Sequence, residues 1–203
     1  MTIRATEQKD LSKIARIHKE RFPDHFLGNY SVFFLSEFYK SFLEDSIFLV
    51  AVSDDKIAGF VLGGDTNTLN QHKKAFIRKH FILCFLESAI RPRIWFQAWK
   101  RAKSNLFKKR QNEVFSNADK PTLPPDCILS IAVSKSYAGK GLGKQLTRGF
   151  EEKLPESTLS YRLSVQKDNP AAIGFYHNMG FVTLDESGDS LKMIRILPKQ
   201  ENE

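Results

Sequence analysis

The chain has 203 residues, of which 41% are hydrophobic and 27% charged, as expected of a single soluble globular domain with a full core. Its two cysteines, Cys84 and Cys127, exclude a disulfide framework, and the histidines show no metal-ligand spacing, so we expect no metal. Apolar runs such as residues 81–86 are far shorter than the roughly 20 residues that span a bilayer. The N-terminal sequence lacks the apolar segment of a secretory signal, which predicts a cytoplasmic protein.

The N-terminal third of the chain predicts two helices framed by strands. Residues 2–5 are predicted as a strand, and residues 7–20 as a helix because apolar side chains recur there at helical spacing. Ser31 begins a second helix. Residues 47–52 and 57–62 are predicted as two strands, and the polar turn between them is typical of a hairpin.

A strongly basic segment follows the third predicted strand. Residues 71–110 contain 12 Lys or Arg residues and one acid, Glu87, so this segment carries a charge of +11 in a chain of net charge +8. Pro92 divides the segment into two predicted helices, at about residues 71–90 and 93–109. We therefore predict a basic helical insertion, at about residues 66–125, between the third and fourth strands.

Three interpretations of the insertion stay open. It can form a helical hairpin with a solvated basic face, or a lid that attracts an anionic substrate. Alternatively, residues 71–110 contact acidic lipid at the inner face of the membrane through their tryptophans and lysines. No nucleic-acid partner is expected, because no recognised binding module is present.

Three closely spaced glycines, Gly139, Gly141 and Gly143, separate the fourth predicted strand from a helix at residues 141–153. Glycine adopts positive φ readily and allows close approach to the backbone. A helix start offers unpaired N–H groups and the positive end of the helix dipole. Lys140 and Lys144 add positive charge beside it. This pattern predicts a cradle for the phosphate or pyrophosphate of a ligand.

Two common phosphate-binding motifs do not fit this segment. A Walker A loop ending at Lys144 would need glycine in place of Ala138 and a hydroxyl residue in place of Gln145. A dinucleotide GxGxxG fingerprint would need glycine at Lys144 or at Leu146. A glycine-rich turn without any ligand stays an alternative.

A second informative segment lies about twenty residues further on. Residues 159–165 predict a strand, and Asn169 is placed to cap a helix that has Pro170 at its first position. Gly180 suits the end of that helix. Strands at residues 181–185 and 191–197 then complete the domain.

Together these segments resemble the GNAT superfamily of acetyl-CoA-dependent N-acetyltransferases. The family's cofactor signature, V…[RQ]xxGx[GA], matches Val133 and residues 138–143, except that Ala138 replaces the usual Arg or Gln. Its downstream signature, VxxxNxxAxxFYxxxGF, matches residues 165–181. The resemblance implies a single α/β domain over residues 1–203, with a mixed, twisted central sheet flanked by helices. Ala138 loses one side-chain contact with the cofactor, which Lys140 or Lys144 can replace.

The resemblance also implies an activity and a set of site residues. The activity is acetyl transfer from acetyl-CoA, as co-substrate, to a primary amine. Tyr176 is implied as the catalytic acid near the sulfur, since a neutral phenol can protonate a departing thiolate. Asn169 is implied beside the pantetheine arm. The residues expected to bind the cofactor are Ile131, Ala132, Val133, Ala138, Gly139, Lys140, Gly141, Leu142, Gly143, Lys144, Asn169, Ala172 and Tyr176.

The general base and the acceptor stay open. Asp65, Asp126 and His25 are candidate bases by position, as is Glu37 on the second helix, but each is equally explained as a surface or capping residue. The basic insertion favours an anionic acceptor, and the resemblance suggests an amino sugar of surface-polysaccharide biosynthesis. The alternatives are a protein amine acetyltransferase and a non-catalytic acyl-CoA sensor. The oligomeric state is not predicted.

Overall fold

A seven-stranded sheet organises the protein, whose computed structural model describes residues 1–89 and 123–198. The strands are β1 (Thr2–Ala5), β2 (Ile47–Ser53), β3 (Lys56–Asp65), β4 (Asp126–Val133), β5 (Ser160–Gln166), β6 (Val182–Ser187) and β7 (Ser190–Ile196). The helices are α1 (Leu11–Arg21), α2 (Val32–Lys40), α3 (Thr66–Lys79), α4 (Phe81–Ala89), α5 (Leu142–Glu151) and α6 (Pro170–Asn178). The sheet and its flanking helices confirm the predicted α/β fold.

The strand order is β1-β2-β3-β4-β5-β7-β6, and every neighbouring pair is antiparallel except β4 and β5. The parallel strands β4 and β5 pair at one position, where Cys127 lies opposite Arg162. Beyond this position the two strands no longer pair. Since the far edges of β4 and β5 pair with β3 and β7, a cleft opens between two otherwise continuous half-sheets.

Two apolar cores lie on opposite faces of the sheet. The first core packs α1, α2 and α3 against β2, β3 and β4 and is rich in aromatic side chains such as Phe34, Tyr39 and Phe60. The second core packs α5 and α6 on the other face, around Phe150 and Tyr161. Each large apolar side chain buried in this way contributes roughly 1.5–3 kcal/mol. The two packed cores therefore fix the positions of β4 and β5 on either side of the cleft.

Strand β3 extends beyond its predicted end at residue 62, through two glycines to Asp65. At Gly63 an added Cβ would lie 2.3 Å from the Cys127 carbonyl oxygen and 2.6 Å from the ring of Phe150. Glycine at this position allows β4 and α5 to approach β3 closely. Gly63, which follows the predicted end of the strand, therefore lies inside a longer strand at a point of close packing.

The predicted helix at residues 71–90 is instead two helices, α3 and α4, which meet at His80. Helix α3 also begins earlier, because the Asp65 carboxylate caps it by accepting the Thr68 N–H at 2.9 Å. Both helices lie between β3 and β4, where a helical insertion was predicted. The predicted helix at residues 93–109 lies outside the described residues.

Helix α4 packs one side, including Leu83 and Cys84, against the first core and exposes large apolar side chains on another. Its Glu87 carboxylate accepts the Ser31 backbone N–H at 3.1 Å and also the Ser31 hydroxyl, which links α4 to the start of α2. Five large apolar side chains of α3 and α4 are 55–72% exposed: Ile77, Phe81, Ile82, Phe85 and Leu86. None of the described helices has the length and apolar character needed to cross a bilayer.

Candidate site at the β4–β5 cleft

The turn after β4 is open, and its conformation requires glycine. Gly139 and Gly141 have φ angles of 77° and 75°, in the left-handed region. A Cβ built on either residue would meet no atom within 4 Å, so backbone conformation rather than crowding accounts for both glycines. Gly141 precedes α5, and no side chain in the described part of the protein caps this helix. The first-turn N–H groups of α5 therefore lie beside open space without a side-chain partner, which suits an anionic ligand.

Gly143 serves a different purpose from the two glycines before it. A Cβ at Gly143 would lie 3.1 Å from the Phe175 ring, on α6. This glycine therefore lets α5 and α6 pack closely at the end of the cleft. Leu142 anchors the same helical turn, because its side chain is buried in the second core. Close packing thus fixes the start of α5 beside the open turn.

Positive side chains border the turn on its solvent side. The Lys140 ammonium lies 5.2 Å from the centroid of the Tyr137 ring, a cation–π distance that holds this side chain beside the turn. Lys144 is exposed on the first turn of α5, and Ala138 is exposed where the family signature has a longer polar residue. The structure thus brings the predicted residues 138–144 together in one turn.

The predicted strand residues Ile131, Ala132 and Val133 pair with β3 along one backbone edge. Their other edge faces β5 and pairs with no strand of the described residues. Unpaired backbone groups at such an edge can bind an extended ligand as an additional strand would. The pairing of Leu62 with Ser130 and of Gly63 with Ile128 leaves Leu129 as a β-bulge beside the cleft. On β4 no Gly or Pro marks this bulge, although Gly63 stands at the register shift on β3.

Asn169 and Ala172, which are both in the downstream signature, are linked by helix capping. The Asn169 Oδ1 accepts the Ala172 N–H at 3.1 Å, and Pro170 occupies the first position of α6. The cap fixes where α6 begins, directly after β5. The spacing of these two residues in the signature therefore has a structural cause.

Tyr176 lies on α6 with its ring in the second core, packed against Phe175 and Phe181 at centroid distances of 5.2 and 5.4 Å. The side chain is 8% exposed. Within the described ranges its hydroxyl makes no hydrogen bond, but the oxygen is not fully enclosed. Burial raises the pKa of Tyr176 to about 12, so the phenol is neutral at physiological pH and can donate a hydrogen bond.

Within the part of the chain that the structure describes, every candidate base except Glu37 already has a hydrogen-bond partner. Asp65 caps α3, and the hydrogen bond from the Thr68 N–H is the largest of the effects that lower its pKa, which makes it a weaker base. Asp126 accepts the Thr158 hydroxyl at 3.0 Å. His25 Nδ1 accepts the Leu27 N–H at 3.4 Å. Asp65 and Asp126 sit opposite each other at the end of β4 far from the glycine turn.

A buried polar chain reaches the bulge from the first core and was not predicted. His18 Nδ1 lies 2.6 Å from the Tyr39 hydroxyl, which in turn lies 3.3 Å from the Ser130 hydroxyl. Burial lowers the pKa of His18 to about 3, so its imidazole is neutral. Its Nε2 is buried without a hydrogen-bond partner in the described part of the chain. The only sequence signal was a histidine on the apolar side of α1.

The described residues contain no group of three or more His, Cys, Asp or Glu side chains placed to hold a metal ion.

Both the sequence and the fold are similar to those of known acetyltransferases. A model of the acetyltransferase (GNAT) family matches residues 11–181. The fold is similar to an N-acetyltransferase from Staphylococcus aureus Mu50, with a TM-score of 0.60 and 15% identity over 97% of this chain and 100% of that chain. It is also similar to Ard1 from Thermoplasma volcanium, with a TM-score of 0.56 and 20% identity over 97% of both chains.

A third similar structure is the PaiA N-acetyltransferase from Thermoplasma acidophilum in complex with coenzyme A. Its TM-score is 0.52 and its identity 16%, over 97% of this chain and 98% of that chain. No curated protein sequence matches the chain.

Proposed function

The chain belongs to the GNAT acetyltransferase family, and from this premise we propose that it transfers an acetyl group from acetyl-CoA to the primary amine of an anionic acceptor. Amino sugars of surface-polysaccharide biosynthesis that carry a phosphate or nucleotide group are one such class of acceptor. The observation that carries the proposal is the unpaired edge of β4, which runs directly into an open, uncapped glycine turn. A ligand with an extended amide arm and a diphosphate matches these two features in that order.

In the proposed complex, Gly139 and Gly141 give the diphosphate access to the backbone N–H groups at the start of α5. Lys140 and Lys144 add charge at the solvent side of the turn. Residues 131–133 bind the pantetheine amides through their free backbone edge. The acetyl group then lies near the bulge at Leu129, where backbone N–H groups can stabilise the oxyanion that forms on its carbonyl.

The reaction forms a bond between the amine nitrogen and the acetyl carbon, and it breaks the bond between that carbon and sulfur. The proton released by nitrogen balances the charge on the departing thiolate. The pKa of Tyr176, about 12, lies well above the roughly 8.5 of a free thiol. We therefore assign Tyr176 as a hydrogen-bond donor that stabilises the developing thiolate, because complete transfer of its own proton to sulfur would be unfavourable.

The proposal predicts both CoA binding and turnover. Calorimetry on the purified chain is expected to show 1:1 binding of CoA, and acetyl-CoA is expected to release free thiol when a panel of amines is added. Amines with a phosphate or carboxylate group should be the better acceptors. Absence of CoA binding at millimolar concentration would contradict the proposal. Binding without thiol release from any amine would instead support the acyl-CoA sensor.

We also propose that the exposed surface of α3 and α4 contacts anionic membrane lipid. Its apolar residues Phe81 and Phe85 are more than half exposed, and Lys74, Arg78 and Lys79 on α3 carry the opposite charge to acidic lipid headgroups. Apolar contact together with basic charge is the combination that binds interfacial helices to membranes.

Vesicle binding tests this surface. The protein is expected to co-sediment with vesicles of phosphatidylserine and phosphatidylcholine at low salt, and less with phosphatidylcholine alone. The double variant Phe81→Ser/Phe85→Ser should lose this binding, whereas Val182→Ser, which changes an exposed apolar residue on β6, should keep it. Equal binding by both variants would refute the assignment. A concentration-dependent dimer without vesicle binding would assign the surface to a second copy of the chain instead.

A further inference from the structure

Two cationic side chains lie toward the closed end of the β4–β5 cleft, Arg162 on β5 and Lys73 on α3, the helix that Arg162 contacts through Thr66. Arg162 on β5 is the register partner of Cys127, where β4 and β5 last pair. Its Nη2 donates to the Thr66 hydroxyl at 3.0 Å and its Nε donates to the Pro124 carbonyl at 2.9 Å. Both acceptors are neutral. In the described part of the chain, neither Arg162 nor Lys73 on α3 lies within ion-pair distance of a carboxylate.

Lys73 and Arg162 act on each other electrostatically. Partial burial lowers the pKa of Lys73, and the positive charge of Arg162 lowers it further, while Cys127 opposes the shift. Two like charges partly withdrawn from water raise the free energy of the folded protein until an anion binds. The hydrogen bonds to Thr66 and Pro124 hold the Arg162 guanidinium in place, so this site is formed before any ligand arrives.

Asp65 and Asp126 face each other at the same end of β4 as Cys127, and neither forms an ion pair with Arg162 or Lys73 within the described residues. Asp65 accepts both the N–H and the hydroxyl of Thr68, at 2.9 and 3.1 Å. Asp126 accepts the Thr158 hydroxyl. Both carboxylates thus bond to neutral groups, and the Lys73 ammonium donates to the Asn70 side-chain oxygen at 3.5 Å. Among the described residues neither Arg162 nor Lys73 forms an ion pair, so both cations can still contact an external anion.

The position of the pair separates it from the proposed diphosphate site. Cys127 and Val133 stand at opposite ends of β4, and six residues of extended strand span about 20 Å. The anionic groups of CoA belong to the glycine turn at the Val133 end. A second anion site at the other end of the cleft therefore suits the second substrate.

We propose that Lys73 and Arg162 form a subsite for the negatively charged group of the acceptor, a phosphate or a carboxylate, and thereby select anionic amines. This inference rests on the proposed acetyl transfer. The planar guanidinium of Arg162 can bind either group through two parallel hydrogen bonds, and Lys73 adds a point charge. Selection of the acceptor thus depends on residues of α3 and β5 that neither family signature contains.

The test uses protein saturated with CoA, so that the glycine turn is occupied. Inorganic phosphate and acetate are titrated as probes by calorimetry, against wild type and the variants Lys73→Gln, Arg162→Gln and Lys13→Gln. Lys13 is an exposed lysine of helix α1 that neither proposed binding surface contains, and it serves as the matched control. We expect at least one probe to bind wild type and Lys13→Gln equally, and both subsite variants to bind it at least tenfold more weakly. The stronger probe identifies the charged group of the acceptor.

Kinetics supply the second part of the test, with glucosamine and glucosamine 6-phosphate as acceptors. Lys73→Gln is expected to raise KM for the phosphorylated sugar at least tenfold, with kcat and the KM for glucosamine nearly unchanged. Because Arg162 also links Thr66 and Pro124, Arg162→Gln can destabilise the fold, so Lys73→Gln is the deciding variant. If CoA binds and amines release thiol from acetyl-CoA, but neither probe depends on Lys73, the subsite is refuted while acetyl transfer stands. If CoA does not bind at all, the proposed function itself fails.

Discussion

Replacing Tyr176 with phenylalanine is expected to lower kcat for acetyl transfer about a hundredfold or more, while KM for acetyl-CoA stays within twofold of wild type. The variant removes one hydroxyl group, which makes no hydrogen bond within the described residues. Loss of a single donor to a developing negative charge typically costs about 10²–10³ in kcat. Steady-state thiol release at saturating acceptor measures the effect.

The stability of this variant is the key internal check. Since the Tyr176 hydroxyl has no protein partner among the described residues, Tyr176→Phe should leave the melting temperature unchanged or slightly raised. Tyr161→Phe is the matched control in the same core. The Tyr161 hydroxyl donates to the Glu151 carboxylate at 2.6 Å, so its removal should cost about 1.5–3 kcal/mol of stability. Turnover by Tyr161→Phe should remain near that of wild type.

These two tyrosines therefore separate catalysis from folding. A Tyr176→Phe enzyme with full kcat would show that the hydroxyl does not reach the departing sulfur. The pKa of about 12 adds a further expectation: the pH profile of kcat should show no alkaline limb from Tyr176 below about pH 10. If kcat decreases with rising pH below about pH 10, a group other than Tyr176 must be losing its proton.

Parts of the site that depend on neighbouring residues were predictable from the sequence. The strand, the glycine turn and the start of α5 follow one another within about fifteen residues, and the conformations of Gly139 and Gly141 depend on local backbone geometry. The cap formed by Asn169 on α6 is likewise a contact over three residues. Short-range steric and hydrogen-bonding rules suffice for such features.

Features that join distant parts of the chain were not predictable. Ser130 contacts Tyr39 across 91 positions, and Lys73 acts on Arg162 although these residues are on α3 and β5. The bulge at Leu129 arises from how β4 aligns with β3, which no local residue type specifies. Such arrangements follow from tertiary packing, which a single sequence does not reveal.

Helix ends in the insertion illustrate the same limit. The break between α3 and α4 at His80 has neither glycine nor proline to mark it, and the His80 ring stacks on Phe76 at a centroid distance of 4.8 Å. The early start of α3 came from Asp65, which the sequence suggested as a base but which the fold uses as a helix cap. A carboxylate just before a helix has both interpretations until its hydrogen-bond partner is known.

Substituting alanine for Gly141 is expected to weaken CoA binding at least tenfold with only a modest loss of stability. The φ angle of 75° forces alanine into the left-handed region, at a cost of about 1–2 kcal/mol. No atom lies within 4 Å of the new methyl group, so crowding inside the protein adds nothing to this cost. In the proposed complex the free space belongs to the diphosphate. Calorimetry with CoA and thermal unfolding, measured on the same sample, separate the two effects.

Gly188→Ala provides the control for backbone strain. Gly188 lies in the turn between β6 and β7 with a φ angle of 60°, so alanine there carries a similar conformational cost. This variant should lose about as much stability as Gly141→Ala and keep its affinity for CoA. The difference in CoA affinity between the two variants then measures how much the methyl group blocks access to the N–H groups of α5, apart from the effect of backbone strain. Equal CoA affinity in Gly141→Ala and Gly188→Ala would mean that the diphosphate does not lie against this turn, because a ligand held by the backbone at Gly141 must respond to a methyl group placed there.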